Sequence, residues 1–439
     1  MARHAQIPWV IRNILTLLTV IMFIKVGGFF SVVEDRTLGQ VFKVITRVGM
    51  TGLTLWIFMT IKGIVGMSNI RFKSPMPLIL YVLYLTLGFI SFTWSTKIQY
   101  SALQWFMTFE SLVFVIIYMK TIALVNEHFP DFGIDLIKVF AKVIFFILLI
   151  MVVGSFIDPD LFYRGMRGGE EQRFGGYFMN PNELGMLASI GAALSFLYAQ
   201  KADKKFWPVV MTLLCIAALL MTASRSSLIG FLLIIGILIL KSEHKKLKIA
   251  MVVGGVLAVP VAVRFIIFKD GGGLDEVLSM TGRIPFWKAL LAEGITREPF
   301  FGFGFMRIDY TDYFQGRNTY KAAMTHNTFM QVLLNVGFVG FFIVFWQVVS
   351  TFRNWVKEKG HRYSDFFIAM VIPVVINSLT EFGIFGDANY GILFWQFLIV
   401  LFIIEVDPKR SISQITRSKI LQSRYYWNKE ERKVAMPEG

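Results

Sequence analysis

The chain has 439 residues, of which 55% are hydrophobic and only 17% charged, with a formal net charge of +15. A soluble globular chain carries about 25% charged residues, so the composition excludes an ordinary soluble domain and predicts an all-α polytopic membrane protein. The single cysteine, Cys215, lies inside an apolar run. That excludes internal disulfides and thiolate metal sites and makes Cys215 a small core residue. No other metal-spaced ligand cluster appears, and no cofactor motif is present.

A spanning helix needs roughly 20 mostly apolar residues. About twelve segments qualify, near 10–30, 41–61, 77–94, 102–123, 135–157, 180–199, 206–222, 225–240, 248–268, 327–350, 364–380 and 388–405. The first is long and lacks a following small-residue cleavage site, so it reads as a membrane helix rather than a signal peptide. The pair on either side of Ser224 is separated by a short break. No internal repeat is visible.

Loop charges set the orientation. Arg71/Lys73, Lys201/Lys204/Lys205, Lys241/Lys245/Lys246/Lys248 and Arg353/Lys357/Lys359/Arg362 fall in one alternating set of loops. These loops and the basic tail belong on the cytoplasmic side, with both termini. The opposite short loops, among them Glu381 through Asp387, are poor in Lys and Arg. The net charge therefore follows topology, with no basic patch interleaved with aromatics, and nucleic acid is excluded as a partner. The chain divides into nine spans over 1–268, an outward loop at 269–326, three spans over 327–405 and a basic tail at 406–439 that suits the anionic inner leaflet of a bilayer.

The outward side breaks its own rule in two places. Residues 158–179 hold Arg164, Arg167 and Arg173, and residues 269–326 hold Arg283, Arg297, Arg307, Arg317, Lys321 and His326. In the first, Asn180 can cap the next helix with Pro181 at its first position, and Arg173 stands above that helix start. Arg164 and Arg167 read as solvated.

Arg225 lies in Thr222-Ala223-Ser224-Arg225-Ser226-Ser227 between two apolar runs. A charge at membrane depth costs about 2.5–3.5 kcal/mol on insertion scales. It either snorkels to the interface or faces a ligand cavity, and the flanking hydroxyls favour the cavity. A guanidinium suits phosphate oxygens.

The long loop contains a predicted short helix from Arg283 to Glu293, with Ile284, Trp287, Leu290 and Leu291 on one face. Such a Trp-bearing helix suits a membrane interface. An arginine at its start is locally unfavourable unless an anion is near. In Pro299-Phe300-Phe301-Gly302-Phe303-Gly304-Phe305 the glycines let the backbone approach a ligand. Thr325 can cap the helix that follows, placing His326 in its first turn. Imidazole ordinarily changes charge between about pH 5 and 8, so His326 is the candidate base. Several cations with one histidine point to a phosphate-bearing ligand and a base to work beside it.

The order Arg-x-Gly-Gly-x-Phe-x-Asn-Pro-Asn, Ser-Arg-Ser between spans, Gly-Arg-x-x-x-Trp, Pro-Phe-Phe-Gly-Phe-Gly-Phe and His-Asn before a span resembles the O-antigen ligase and O-antigen polymerase superfamily of bacterial membrane glycosyltransferases. The resemblance covers roughly 170–345. It implies a GT-C-like helical enzyme of the bacterial inner membrane, independent of metal, with its site on the extracytoplasmic face. The implied donor is a glycan on undecaprenyl diphosphate, and the acceptor is a glycan or a second lipid-linked unit. By the same resemblance Arg225 and Arg283 bind the diphosphate and His326 is the base. Arg173, Asn180, Asn182, Ser224, Trp287 and Asn327 would contact substrate.

Two other functions compete. A secondary transporter or flippase of an anionic substrate fits twelve spans, but such folds show repeated halves and midplane sites. A lipid-linked transferase of the cell-wall type would rely on an outward carboxylate, for which Asp275 and Glu276 are the candidates.

Overall fold

In a computed structural model the described residues are 8–31, 35–65, 70–166, 171–241, 283–305 and 325–406 without 382 and 387, with a few positions between 243 and 254. Most of the expected span at 248–268, the tail beyond Val406, Arg167, and the loop residues Asp275, Glu276, Arg307, Arg317 and Lys321 lie outside them.

Helices occupy the expected apolar segments wherever the chain is described: α1 Ile14–Gly27, α2 Arg36–Val65, α3 Met76–Ile90, α4 Ile98–His128, α5 Leu136–Ile157, α6 Pro181–Lys201, α7 Phe206–Met221, α8 Arg225–Lys241, α9 Arg283–Leu290, α10 Thr328–Lys357, α11 Ser364–Thr380 and α12 Tyr390–Val400. Among the described residues five helical stretches are long and apolar enough to cross a membrane: Thr37–Val65, Met76–Thr93, Ile98–His128, Pro130–Ile157 and Thr328–Lys357. The short break around Ser224 is real, for α7 ends at Met221, Ala223 turns with φ 49° and α8 restarts at Arg225.

The expectation of a purely helical chain needs one amendment. Two small antiparallel pairs form: β1 Ile70–Phe72 with β4 Ile404–Val406, and β2 Tyr163–Met166 with β3 Glu171–Phe174. Both join segments outside the apolar helices, where backbone groups left unpaired by helix can pair with each other. The segment 158–179 is thus a hairpin, with Arg164 in register with Arg173.

At the bundle centre α6 packs against α5, α7, α8 and α11. Its Gly185, Ala188, Ser189, Gly191, Ala192, Ala193 and Ser195 are all buried. Lipid supplies no hydrophobic force between helices, so small residues that let backbones approach do the packing. A Cβ on Gly191 would meet Ile144 Cγ2 at 2.5 Å and Cys215 Sγ at 2.9 Å. Cys215 is the buried core residue its position implied. Helix α12 is buried along its whole length, which explains why it is apolar on every face.

One end of the bundle gathers the loops read above as one set. Lys73 pairs with Glu358 at 3.0 Å, Arg71 with Glu405 at 3.1 Å, and Lys241 with Asp365. The loops carrying Arg71/Lys73, Lys241 and 353–362 therefore share a side.

Inside the bundle lies a charge cluster that loop-counting passed over. Glu110 of α4 accepts from Lys25 Nζ of α1 at 2.5 Å and from the Thr51 hydroxyl of α2. Arg47 of α2 approaches its second oxygen at 3.8 Å and bonds Met107 O at 2.8 Å and Ser111 Oγ at 2.7 Å. Lys25, Arg47 and Glu110 are all buried. Removing one partner of a buried pair strands the other charge, at about 3–5 kcal/mol. Glu110→Ala is expected to lower the unfolding temperature in detergent sharply, and an unchanged melt would show that water already reaches the cluster.

Helix α10 is kinked at Val336 and Gly337, the latter at φ 63° and ψ −165°, a region essentially restricted to glycine. The Pro299–Phe305 turn supplies the cause. Phe303 N donates to Leu334 O at 3.0 Å and Gly304 N to Asn335 O at 2.8 Å, while Phe338 N donates to Pro299 O at 2.8 Å. The glycines therefore serve a backbone-to-backbone approach to α10, where a Cβ on Gly302 would fall 2.5 Å from Asn335 C. A Cβ on Gly337 would fall 2.2 Å from the Phe300 carbonyl. Gly337→Ala is expected to cost at least about 1–3 kcal/mol from the backbone alone, read as loss of folded protein on size-exclusion chromatography.

Candidate active site

Five helix ends meet at one point: the starts of α6, α8, α9 and α10 and the close of α11. Asn180 caps α6 as expected, its side chain accepting from Asn182 N at 2.9 Å with Pro181 next. Asn327, not Thr325, caps α10, accepting from Phe329 N at 3.0 Å and Met330 N at 3.1 Å. Thr325 instead donates to Asn327 O at 2.8 Å. The shift matters for His326. It stands just before the cap rather than in the first turn, in the left-handed region at φ 51°. A non-glycine residue held there is strained, and such strain clusters at functional sites.

The centre is Glu381, directly after α11. His326 Nδ1 lies 2.7 Å from Glu381 Oε2. Arg283 NH2 donates to Glu381 Oε1 at 3.1 Å, and its NH1 donates to Thr380 O. Asn182 Nδ2 donates to Glu381 Oε1 at 2.9 Å. The Glu381 side chain is 5% exposed, against 17% for His326 and 16% for Arg283. Burial by itself raises the proton affinity of this carboxyl, but the bonds and charges of His326, Arg283 and Asn182 outweigh it and hold it below its ordinary value. Glu381 is therefore ionised at neutral pH. An ionised carboxylate can only accept, so Nδ1 of His326 carries the hydrogen and Nε2 becomes the basic nitrogen.

Asn182 extends the network. Arg173 NH2 donates to Asn182 Oδ1 at 2.9 Å, and Arg173 Nε donates to Thr222 O at 3.0 Å. Ser227 Oγ donates to Asn182 O at 3.2 Å and lies 2.9 Å from Ser224 Oγ. The α7–α8 break is thereby tied to the hairpin and to α6. Gly185 makes room for it: a Cβ there would fall 2.7 Å from Ser227 Oγ.

The predicted residues take three kinds of place. Arg173, Asn182, Arg283 and His326 join one network around Glu381. Asn180, Ser224, Trp287 and Asn327 hold its framework. Trp287 Nε1 donates to Thr325 O at 2.7 Å, and Asn327 Nδ2 donates to Leu379 O at 3.2 Å. The buried stripe of the loop helix runs Phe286, Leu290 and Gly294, one step round from the face expected from Ile284, Trp287, Leu290 and Leu291. Its Trp287 indole N–H is held by the Thr325 carbonyl.

Arg225 is different. It is half-buried, opens α8, and makes no hydrogen bond or ion pair among the described residues. The anion wanted beside Arg283 is Glu381, and the α11 carbonyl adds the negative end of that helix. Among the described residues nothing comparable matches Arg225, which is thus a half-buried cation without a counter-ion at the helix start tied to the Glu381 network.

Glu381 was missed because one acidic residue in a loop poor in Lys and Arg carries no motif. The available signal was its position after an apolar helix, where a lone buried carboxylate needs a partner. Among the described residues no cluster of three His, Cys, Asp or Glu side chains could hold a metal ion.

No curated protein matches the chain. Residues 209–345 match the family model described as O-Antigen ligase. The matched segment runs from α7 into α10 and holds Arg225, Arg283 and His326. Over that segment this membrane-integral chain is similar to the O-antigen ligase family, membrane enzymes of surface polysaccharide synthesis.

Proposed function

We propose that the protein transfers or polymerises glycan from undecaprenyl diphosphate onto an acceptor hydroxyl, with His326 as base and Arg225, Arg283 and Arg173 at the diphosphate. The observation that carries this reading is half-buried Arg225, without a counter-ion among the described residues, at the helix start tied to the network in which an ionised carboxylate orients His326. A sugar–lipid diphosphate carries two negative charges. The described part of the long loop brings Arg283 to this site, which supports the reading that the site faces the extracytoplasmic side, with both termini in the cytoplasm and about twelve spans.

In the reaction the acceptor oxygen attacks the anomeric carbon and its proton passes to His326 Nε2. The bond from that carbon to the diphosphate oxygen breaks, and the lipid diphosphate leaves with the electron pair. Negative charge grows on the leaving oxygen, so fixed guanidinium groups act most strongly in the transition state. Glu381 keeps the imidazole in the productive tautomer and balances the imidazolium that forms.

The test is an in vitro transfer assay in nanodiscs with a lipid-diphosphate-linked glycan extracted from the host, in EDTA. Longer lipid-linked chains mean a polymerase, and transfer to a separate acceptor means a ligase. Turnover that stops when EDTA is added sinks the metal-free scheme. No turnover of several donors with their acceptors supplied would return the protein to the transporter class.

A further inference from the structure

Beside the network, but not part of it, is a cavity of about 310 Å³. Lys43, Arg164, Tyr177, Asn180, Glu183 and Asn389 line it, with Phe29 and Ser31 also at its wall. Asn180 and Glu183 belong to the first turn of α6, whose Asn182 holds Glu381, so the two sites share one helix start. The cavity is at the small end of the roughly 300–1,000 Å³ range of small-molecule sites, room for about one sugar residue.

Its lining has an unusual mixture. Two cations face one carboxylate among the described lining residues, leaving one positive charge in excess. Amide and hydroxyl groups surround them, and the Tyr177 ring is exposed. Amides and carboxylates suit hydroxyls, and an aromatic face suits the C–H side of a pyranose.

The lining is also held in place. Lys43 Nζ donates to Ser31 Oγ at 3.1 Å. Phe29 is backed by Arg47, whose guanidinium carbon lies 3.9 Å from the ring centroid. Arg47 is the buried cation of the cluster described above, one helical turn below Lys43. The cluster thus buttresses the cavity wall and adds positive potential beneath it.

We propose that this cavity binds a single carboxylate-bearing sugar residue of the glycan, with Lys43 and Arg164 facing the carboxylate and Tyr177 the ring. The inference rests on the glycan-transfer reading for its biological sense, but its test does not. Saturation-transfer NMR in nanodiscs would compare methyl β-glucuronide with methyl β-glucoside as probes. The expected result is at least a fivefold stronger signal for the glucuronide, in wild type and equally in Arg225→Ala. Lys43→Met/Arg164→Gln should lose that preference, and Glu183→Gln, which removes the opposing carboxylate, should strengthen it.

Equal signals for the two sugars in wild type would overturn the proposal. So would an unchanged glucuronide signal in the double variant or a weakened one in Glu183→Gln. Displacement by inorganic phosphate at the same concentration would make the cavity a general anion site and also end it. Failed transfer with intact glucuronide preference would sink the catalytic reading alone, and active transfer without preference would sink this one alone.

Discussion

Glu381→Gln is expected to reduce the transfer rate by about 10²–10⁴-fold, the range a positioned general base supplies, with little change in KM. The amide keeps the volume and one acceptor but removes the charge. His326 then has no fixed reason to carry its hydrogen on Nδ1, and the imidazolium formed in the reaction loses its counter-ion. Substituting the carboxylate that orients a catalytic histidine has this character elsewhere: geometry survives and rate falls. His326→Ala should fall as far, and the double variant scarcely further, because residues acting as a unit are not additive. Multiplicative losses in the double variant would show that Glu381 and His326 act separately.

The same variant makes a pH prediction. Glu381 titrates below its ordinary value of 4.5 in the folded protein. A depressed carboxyl stabilises the fold fully above the unfolded value, and that contribution is lost as pH falls through the folded one. The melting temperature of wild type should exceed that of Glu381→Gln at pH 7. The gap should close as the pH drops below about 4. A gap that persists well below that range would contradict the network as drawn.

Arg225→Ala is expected to lower kcat/KM by about 10²–10³-fold, or about 2.7–4 kcal/mol, as for loss of one donor to transition-state charge. The loss should fall mainly on kcat, because charge on the diphosphate increases as the glycosidic bond breaks. Arg225→Lys should recover only part of it, since an ammonium cannot make the paired contacts of a guanidinium. Folding should be spared. Arg225 holds nothing among the described residues, whereas Arg283 also closes α11 through Thr380 O. Arg283→Ala is thus the variant that should lose stability and rate together. An Arg225→Ala enzyme that melts early and keeps its kcat would make Arg225 a structural residue.

The sequence by itself determined the helical, membrane-integral character, because twenty-residue apolar runs leave the backbone no other satisfied state in lipid. It also marked the break before Arg225 and the Asn180 cap, and it singled out Arg173, Arg283 and His326, which the fold brings into one network. The tertiary structure decided who partners whom. Glu381 carries no motif, yet α11 delivers its carboxylate to Asn182, Arg283 and His326 at once. The glycines of 302–304 were open to a ligand reading until α10 proved to be kinked against them. Lys25, Arg47 and Glu110 lie in three separate helices, and only packing makes them one cluster. Local pattern reports what a segment needs, namely an apolar surrounding, a cap or a counter-charge. Which distant residue meets that need depends on contacts spanning tens to hundreds of positions, and those exist only once the chain is folded.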